Sequence, residues 1–73
     1  MKLSNLPIGQ QAIITDFIKN DISIQLMEMG LVPGEIICIE KCAPLGDPIS
    51  VSVAGYSLSL RLTEADNITV EAI

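Results

Sequence analysis

The chain has no histidine and no tryptophan, and it has one phenylalanine and one tyrosine among 73 residues. Without an imidazole there is no Ser-His or Cys-His pair, no HExxH helix and no side chain that is a ready general base near neutrality. Cations are scarce as well: Lys2, Lys19, Lys41 and Arg61 stand against nine Asp and Glu, giving a net charge of -5. Binding to nucleic acid needs clustered Lys and Arg to displace counterions from phosphate, so that class is excluded. The same shortage argues against docking on an anionic leaflet. No apolar run approaches the roughly 20 residues of a membrane span. Met1 to Leu6 also lacks the apolar core of a signal peptide. The expectation is a cytoplasmic protein that does not insert in a membrane.

Cysteine is limited to Cys38 and Cys42. On one extended segment they are separated by roughly 13 Å of backbone rise, too far for a disulfide, which needs Cα atoms within about 7 Å. They lack CxxC spacing and a second pair to close a tetrahedral metal site, so both thiols are expected reduced and structural. Met27 and Met29 read as core of a short amphipathic helix rather than soft-metal ligands. Gly9, Gly30, Gly34, Gly46 and Gly55 form no GxGxxG or GxxxxGK[ST] phosphate cradle. Glu35/Glu40 and Glu64/Asp66 fall at strand ends and caps, where solvated carboxylates normally sit. No catalytic site, cofactor or metal site is expected.

What the chain does have is aliphatic bulk: 49% of it is hydrophobic. A domain this short buries only about 60% of its unfolded surface and needs that share. Residues 1–73 read as a single domain. Ile49, Val51 and Val53 alternate with Ser50 and Ser52; after Ala54-Gly55, Tyr56, Leu58, Leu60 and Leu62 alternate with Ser57, Ser59 and Arg61. Period-two alternation marks strands with one buried face. A two-residue loop at Ala54-Gly55 pairs Val53 with Tyr56, Val51 with Leu58 and Ile49 with Leu60, and a slip by one residue would lose all three pairs. Further strands are predicted over Gln11–Ile18, Glu35–Lys41 and Ile68–Ile73, with Ile36, Ile37, Cys38 and Ile39 buried on both faces. Five short strands suggest a small barrel, which removes exposed edges. A helix over about 21–30 is capped by Asn20 or Asp21, presents Ile22, Leu26 and Met29 on one face and ends at Gly30. A single helical turn begins at Thr63, over about 63–67.

The segments MGLVPG, APLGDPI, SLSLR and EADNITV, in that order and spacing, resemble the ferrous iron transport protein A (FeoA) family over nearly the whole chain from about Leu6. The resemblance implies a mainly β, SH3-like five-stranded barrel with an inserted helix. It also implies a non-catalytic accessory or regulatory role in bacterial ferrous iron uptake, through contact with the cytoplasmic, GTPase-containing part of a FeoB-type membrane transporter. Gln25 departs from the family, which often has Arg just before the helix Leu. A second reading is a metal-responsive SH3-like domain related to the C-terminal domain of DtxR-type repressors; a third is an adaptor for an unrelated assembly. The oligomeric state stays open.

Irregular backbone on a rigid barrel is where binding residues concentrate. The helix end, its glycine turn and the loop Cys42–Pro48 are such backbone. Met29, Leu31, Leu45 and Tyr56 are therefore the expected apolar anchors for a protein partner, with Glu28 and Asp47 as charged rim.

Overall fold

Pro7 and Gly9 make the first turn: the Gln10 amide donates to the Pro7 carbonyl at 3.2 Å, and Gly9 takes φ 86°. The computed structural model describes residues 1–73 and continues through β1 (Gln11–Phe17), α1 (Asp21–Glu28), β2 (Ile36–Cys42), β3 (Ile49–Val53), β4 (Tyr56–Leu60), α2 (Leu62–Ala65) and β5 (Ile68–Ala72). A 3-10 turn at Leu3–Asn5 precedes them. The strands form one antiparallel sheet in the order β4-β3-β2-β1-β5. The expected hairpin register holds, with Val53 opposite Tyr56, Val51 opposite Leu58 and Ile49 opposite Leu60.

Residues from all five strands meet in one core: Ala12, Ile14 and Phe17 from β1, Ile37 and Ile39 from β2, Ile49, Val51 and Val53 from β3, Leu60 from β4, and Ile68 and Val70 from β5. A sheet that places every strand on one core must coil around it, and two bulges bend it. In β1 the register shifts between Ile14 and Asp16, so exposed Thr15 and Asp16 stand side by side and Phe17 returns to the core. In β2 it shifts between Ile39 and Lys41, leaving Glu40 as the extra residue. Bulges of this kind strengthen local twist and re-aim side chains.

Three expectations change. Ile36–Ile39 is not buried on both faces: Ile37 and Ile39 are buried, whereas Ile36 is 51% exposed and Cys38 is half-buried. Nothing covers the outer face of the sheet, so the run alternates like any strand with one solvated side. Of the helix face, Leu26 is buried with Ser23, while Ile22, Met27 and Met29 are exposed, so neither methionine is the core residue expected. An eight-residue helix lying on a coiled sheet presents only a narrow strip to it. The barrel also keeps edges, because β4 and β5, at opposite ends of the sheet order, share no ladder.

Capping explains the helix ends. The Ser23 amide donates to Asn20 Oδ1 and the Asn20 amide to Ser23 Oγ, both at 3.0 Å, a reciprocal pair that satisfies otherwise orphaned donors. Asn20, not Asp21, is therefore the cap. At the other end the Gly30 amide donates to Met27 O and the Leu31 amide to Leu26 O, with Gly30 at φ 98°. This is the Schellman arrangement, in which the residue after the glycine packs back on the helix. Leu31 is fully buried for that reason.

Candidate protein-binding surface

The proline loop is built as a turn on a groove. The Gly46 amide donates to Ala43 O at 2.7 Å and the Ala43 amide to Pro48 O at 3.0 Å, so Pro44 and Leu45 occupy the tip. Pro44 supplies the φ that the first corner of such a turn needs, and Leu45 projects into solvent, 97% exposed. The Asp47–Pro48 peptide is cis. Asp47 Oδ1 accepts the Leu62 amide at 3.1 Å, tying the loop to the first residue of α2. At the foot of the loop lies an open groove of about 320 Å³, lined by Lys41, Cys42, Ala43 and Pro44 on one side and Pro48, Ile49, Ser50 and Ser59 on the other.

At the opposite end of the hairpin, the Tyr56 hydroxyl donates to the Met29 carbonyl, and the same hydroxyl lies where a Cβ on Gly30 would be. The β3–β4 turn is thereby fastened to the end of α1. Tyr56 and Met29 remain 44% and 40% exposed, and Glu28 beside Met29 is exposed as well.

The anticipated residues thus fall into two groups at the two ends of β4. Tyr56, Met29 and Glu28 surround the helix end; Leu45 and Asp47 belong to the proline loop. Roughly 13 Å of strand separates the groups. Leu31 belongs to neither and is corrected to core, as the buried residue of the helix cap. Between the two groups the bulge sends Glu40 over the outer face, where its Oε1 accepts from Ser57 Oγ at 2.9 Å and Ser50 Oγ at 3.3 Å. Glu40 and the groove residues Lys41, Cys42, Pro44, Pro48 and Ser59 were not marked by the sequence as site residues. Only the prolines carried a local signal; the others depend on the bulge and on strand neighbours. Cys42 is exposed in the groove and Cys38 half-buried on the sheet, both as free thiols. No group of three or more His, Cys, Asp or Glu converges anywhere, and no helix is long and apolar enough to cross a membrane.

The FeoA domain family matches residues 1–72. A fusion protein of Fe(2+) transport protein A and the Fe(2+) transporter FeoB from Porphyromonas gingivalis is 39% identical over 74 residues; they take in the whole of this chain but only 9% of that protein. Among solved structures, the FeoA-like protein from Clostridium acetobutylicum superposes with a TM-score of 0.95 at 38% identity, covering all of this chain and 86% of that one. The zinc complex of Stenotrophomonas maltophilia FeoA, described as an SH3 domain protein, gives 0.81 at 34% identity over 97% and 89% of the two chains. A manganese-dependent transcriptional repressor shares the fold alone, with a TM-score of 0.90 at 16% identity over 36% of its length. The five-stranded architecture is accordingly SH3-like, and the chain belongs to the FeoA family.

Proposed function

We propose that this chain is a non-catalytic accessory protein of bacterial ferrous iron uptake that acts by binding the cytoplasmic, GTPase-containing part of a FeoB-type transporter. One observation carries the reading: in the Porphyromonas gingivalis relative a domain like this one is covalently joined to FeoB. Fusion keeps two domains at high effective concentration, which serves partners that meet. The surface offered for that contact is the proline loop with its groove. Leu45, almost wholly exposed on a braced turn, has the character of an anchor, and interface anchors carry most of a contact's energy. Leu45→Ala is expected to weaken binding to the purified cytoplasmic domain of the cognate transporter about thirty-fold, as loss of about 2 kcal/mol implies, with unchanged thermal melting. Unchanged affinity would remove Leu45 from the interface; failure of the parent chain to bind would remove the proposal.

A second reading, direct metal sensing, is favoured by the zinc bound to the Stenotrophomonas maltophilia relative. Against it, this chain gathers no cluster of donor side chains. Anaerobic calorimetric titration with Fe²⁺ separates the two, since a sensor binds the ion tightly without the transporter.

A further inference from the structure

The two edges of the sheet are treated differently. Along β5, the Val70 amide donates to the Met1 carbonyl at 2.8 Å, the Met1 ammonium donates to the Val70 carbonyl at 3.0 Å, and Lys2 bridges to Thr69. Glu71 adds a charge to the same strand. That edge is blocked. Strand β4 reads Tyr-Ser-Leu-Ser-Leu, with no charge, no proline and no bulge, and no segment of the chain pairs with its outer side. Proteins normally blunt such an edge.

The pattern of free groups follows from the hairpin. The residues flanking a two-residue loop exchange both hydrogen bonds, and such pairs alternate along an antiparallel ladder. Val53–Tyr56, Val51–Leu58 and Ile49–Leu60 are therefore the bonded pairs, and the N–H and C=O groups of Ser57 and Ser59 point away from β3. Ser59 also lines the groove, so the free edge runs directly past it. The same edge connects the helix-end group at Tyr56 with the proline loop beyond Leu60.

We infer that an extended segment of the transporter's cytoplasmic part adds to β4 as a sixth strand, bonding to the backbone of Ser57 and Ser59 and placing an aliphatic side chain in the groove beside Ser59. Strand addition of this type takes affinity from main-chain bonds and specificity from adjoining pockets. The inference rests on the reading that this chain binds such a transporter and specifies how it does so. Charge decides what kind of segment fits. Glu40 lies over the strand on the Ser57 hydroxyl, Glu28 stands beside Met29 at the Tyr56 end, and Glu64, bonded to the Arg61 amide at 2.8 Å, stands with Asp47 at the other; these four carboxylates outnumber the two cations there, Lys41 in the groove and Arg61 after Leu60. The entering segment carries Lys or Arg among its apolar residues. A second copy of this chain would instead bring together two molecules of net charge -5, which repel.

The test uses the full chain and the purified cytoplasmic domain of the cognate transporter. Ser59→Pro removes the outward N–H, and proline is tolerated in an edge strand where that group faces solvent. Ser59→Ala removes the same hydroxyl but keeps the N–H. Ser59→Pro is expected to bind at least tenfold more weakly than Ser59→Ala, a difference that isolates the N–H from the hydroxyl both variants lack. Amide exchange on the unsubstituted chain is expected to slow at Ser57 and Ser59 when the transporter domain is added. That measurement decides the matter alone if Ser59→Pro fails to fold. Equal binding by Ser59→Pro, or unchanged exchange at both serines, overturns strand addition while leaving the transporter as partner. Absence of binding by the parent overturns the reading beneath it as well. Concentration-dependent doubling of mass by the chain alone, abolished by Ser59→Pro, assigns the edge to a second copy and also overturns the inference.

Discussion

Ala54 is the only residue other than glycine with positive φ, 52°, and Gly55 follows at 85°. These are the angles of a type I′ turn, whose twist matches that of the flanking strands and whose usual first residue is Asn or Asp. An alanine held there costs about 1–2 kcal/mol relative to the right-handed region. Ala54→Asn is therefore expected to raise the urea midpoint, by up to about 1 kcal/mol of stability, and a lower midpoint would contradict the turn assignment. Gly30 behaves oppositely. At φ 98°, with the Tyr56 hydroxyl in the space a Cβ would fill, Gly30→Ala meets both backbone strain and a clash. It should cost at least about 1 kcal/mol, part of it recovered by Tyr56→Phe in the same urea titration. In the hairpin core, Leu60 is 1% exposed whereas Leu58 is only half-buried. Leu60→Ala should then cost about 2–5 kcal/mol and Leu58→Ala clearly less, a ranking that thermal melting checks.

At the scale of elements, α2 shows how loop and helix support each other. It is four residues long, and its cap position, Arg61, has no side-chain oxygen to accept the amides of the first turn. Asp47 supplies one from the proline loop, and Glu64 Oε1 takes the Arg61 amide. The carboxylate anticipated as interface rim thus has a bond inside the fold. Asp47→Ala should cost about 0.5–2 kcal/mol, the usual range for a lost cap, whereas Asp47→Asn keeps an acceptor oxygen and should melt near the parent. Comparing the two in binding to the transporter domain separates the charge from the cap: weaker binding by the well-folded Asn variant assigns the charge to the interface.

For the molecule as a whole, the groove and the two thiols give an independent probe of the binding face. Cys42 opens into the groove and Cys38 sits half-buried on the sheet. Cys38 lies outside the groove and has no role in the proposed contact, so Cys38→Ser should leave transporter binding unchanged, with modest destabilisation. A bulky maleimide on Cys42, introduced in a Cys38→Ser background, should block that binding by filling the groove. Full binding by the labelled chain would show that the partner docks elsewhere. Together these outcomes separate a groove that is used from one that is merely left between strands.

The strands, the hairpin register and the helix are legible in the residue order alone, because each rests on interactions between near neighbours. Serine-aliphatic alternation around Ala54-Gly55 permits one pairing, and Asn20 or Asp21 at one end and Gly30 at the other delimit the helix within its own turns. The exposure of Leu45 was also legible, since Pro44 and Gly46 force a tight corner that points its side chain outward. The rest follows from packing between distant parts of the chain. Leu31 and Met29 are adjacent to the same glycine and similarly apolar, yet the Schellman turn buries one and leaves the other exposed. Ile36 looks as buried in sequence as Ile37, and the absence of a second layer over β2 exposes it. The bulge at Glu40, which carries that carboxylate onto Ser57, and the contrast between a blocked β5 and an open β4 depend on residues far apart in the chain. Such relations leave no local periodicity to read; they arise when the sheet coils and the N-terminal residues reach one of its edges but not the other.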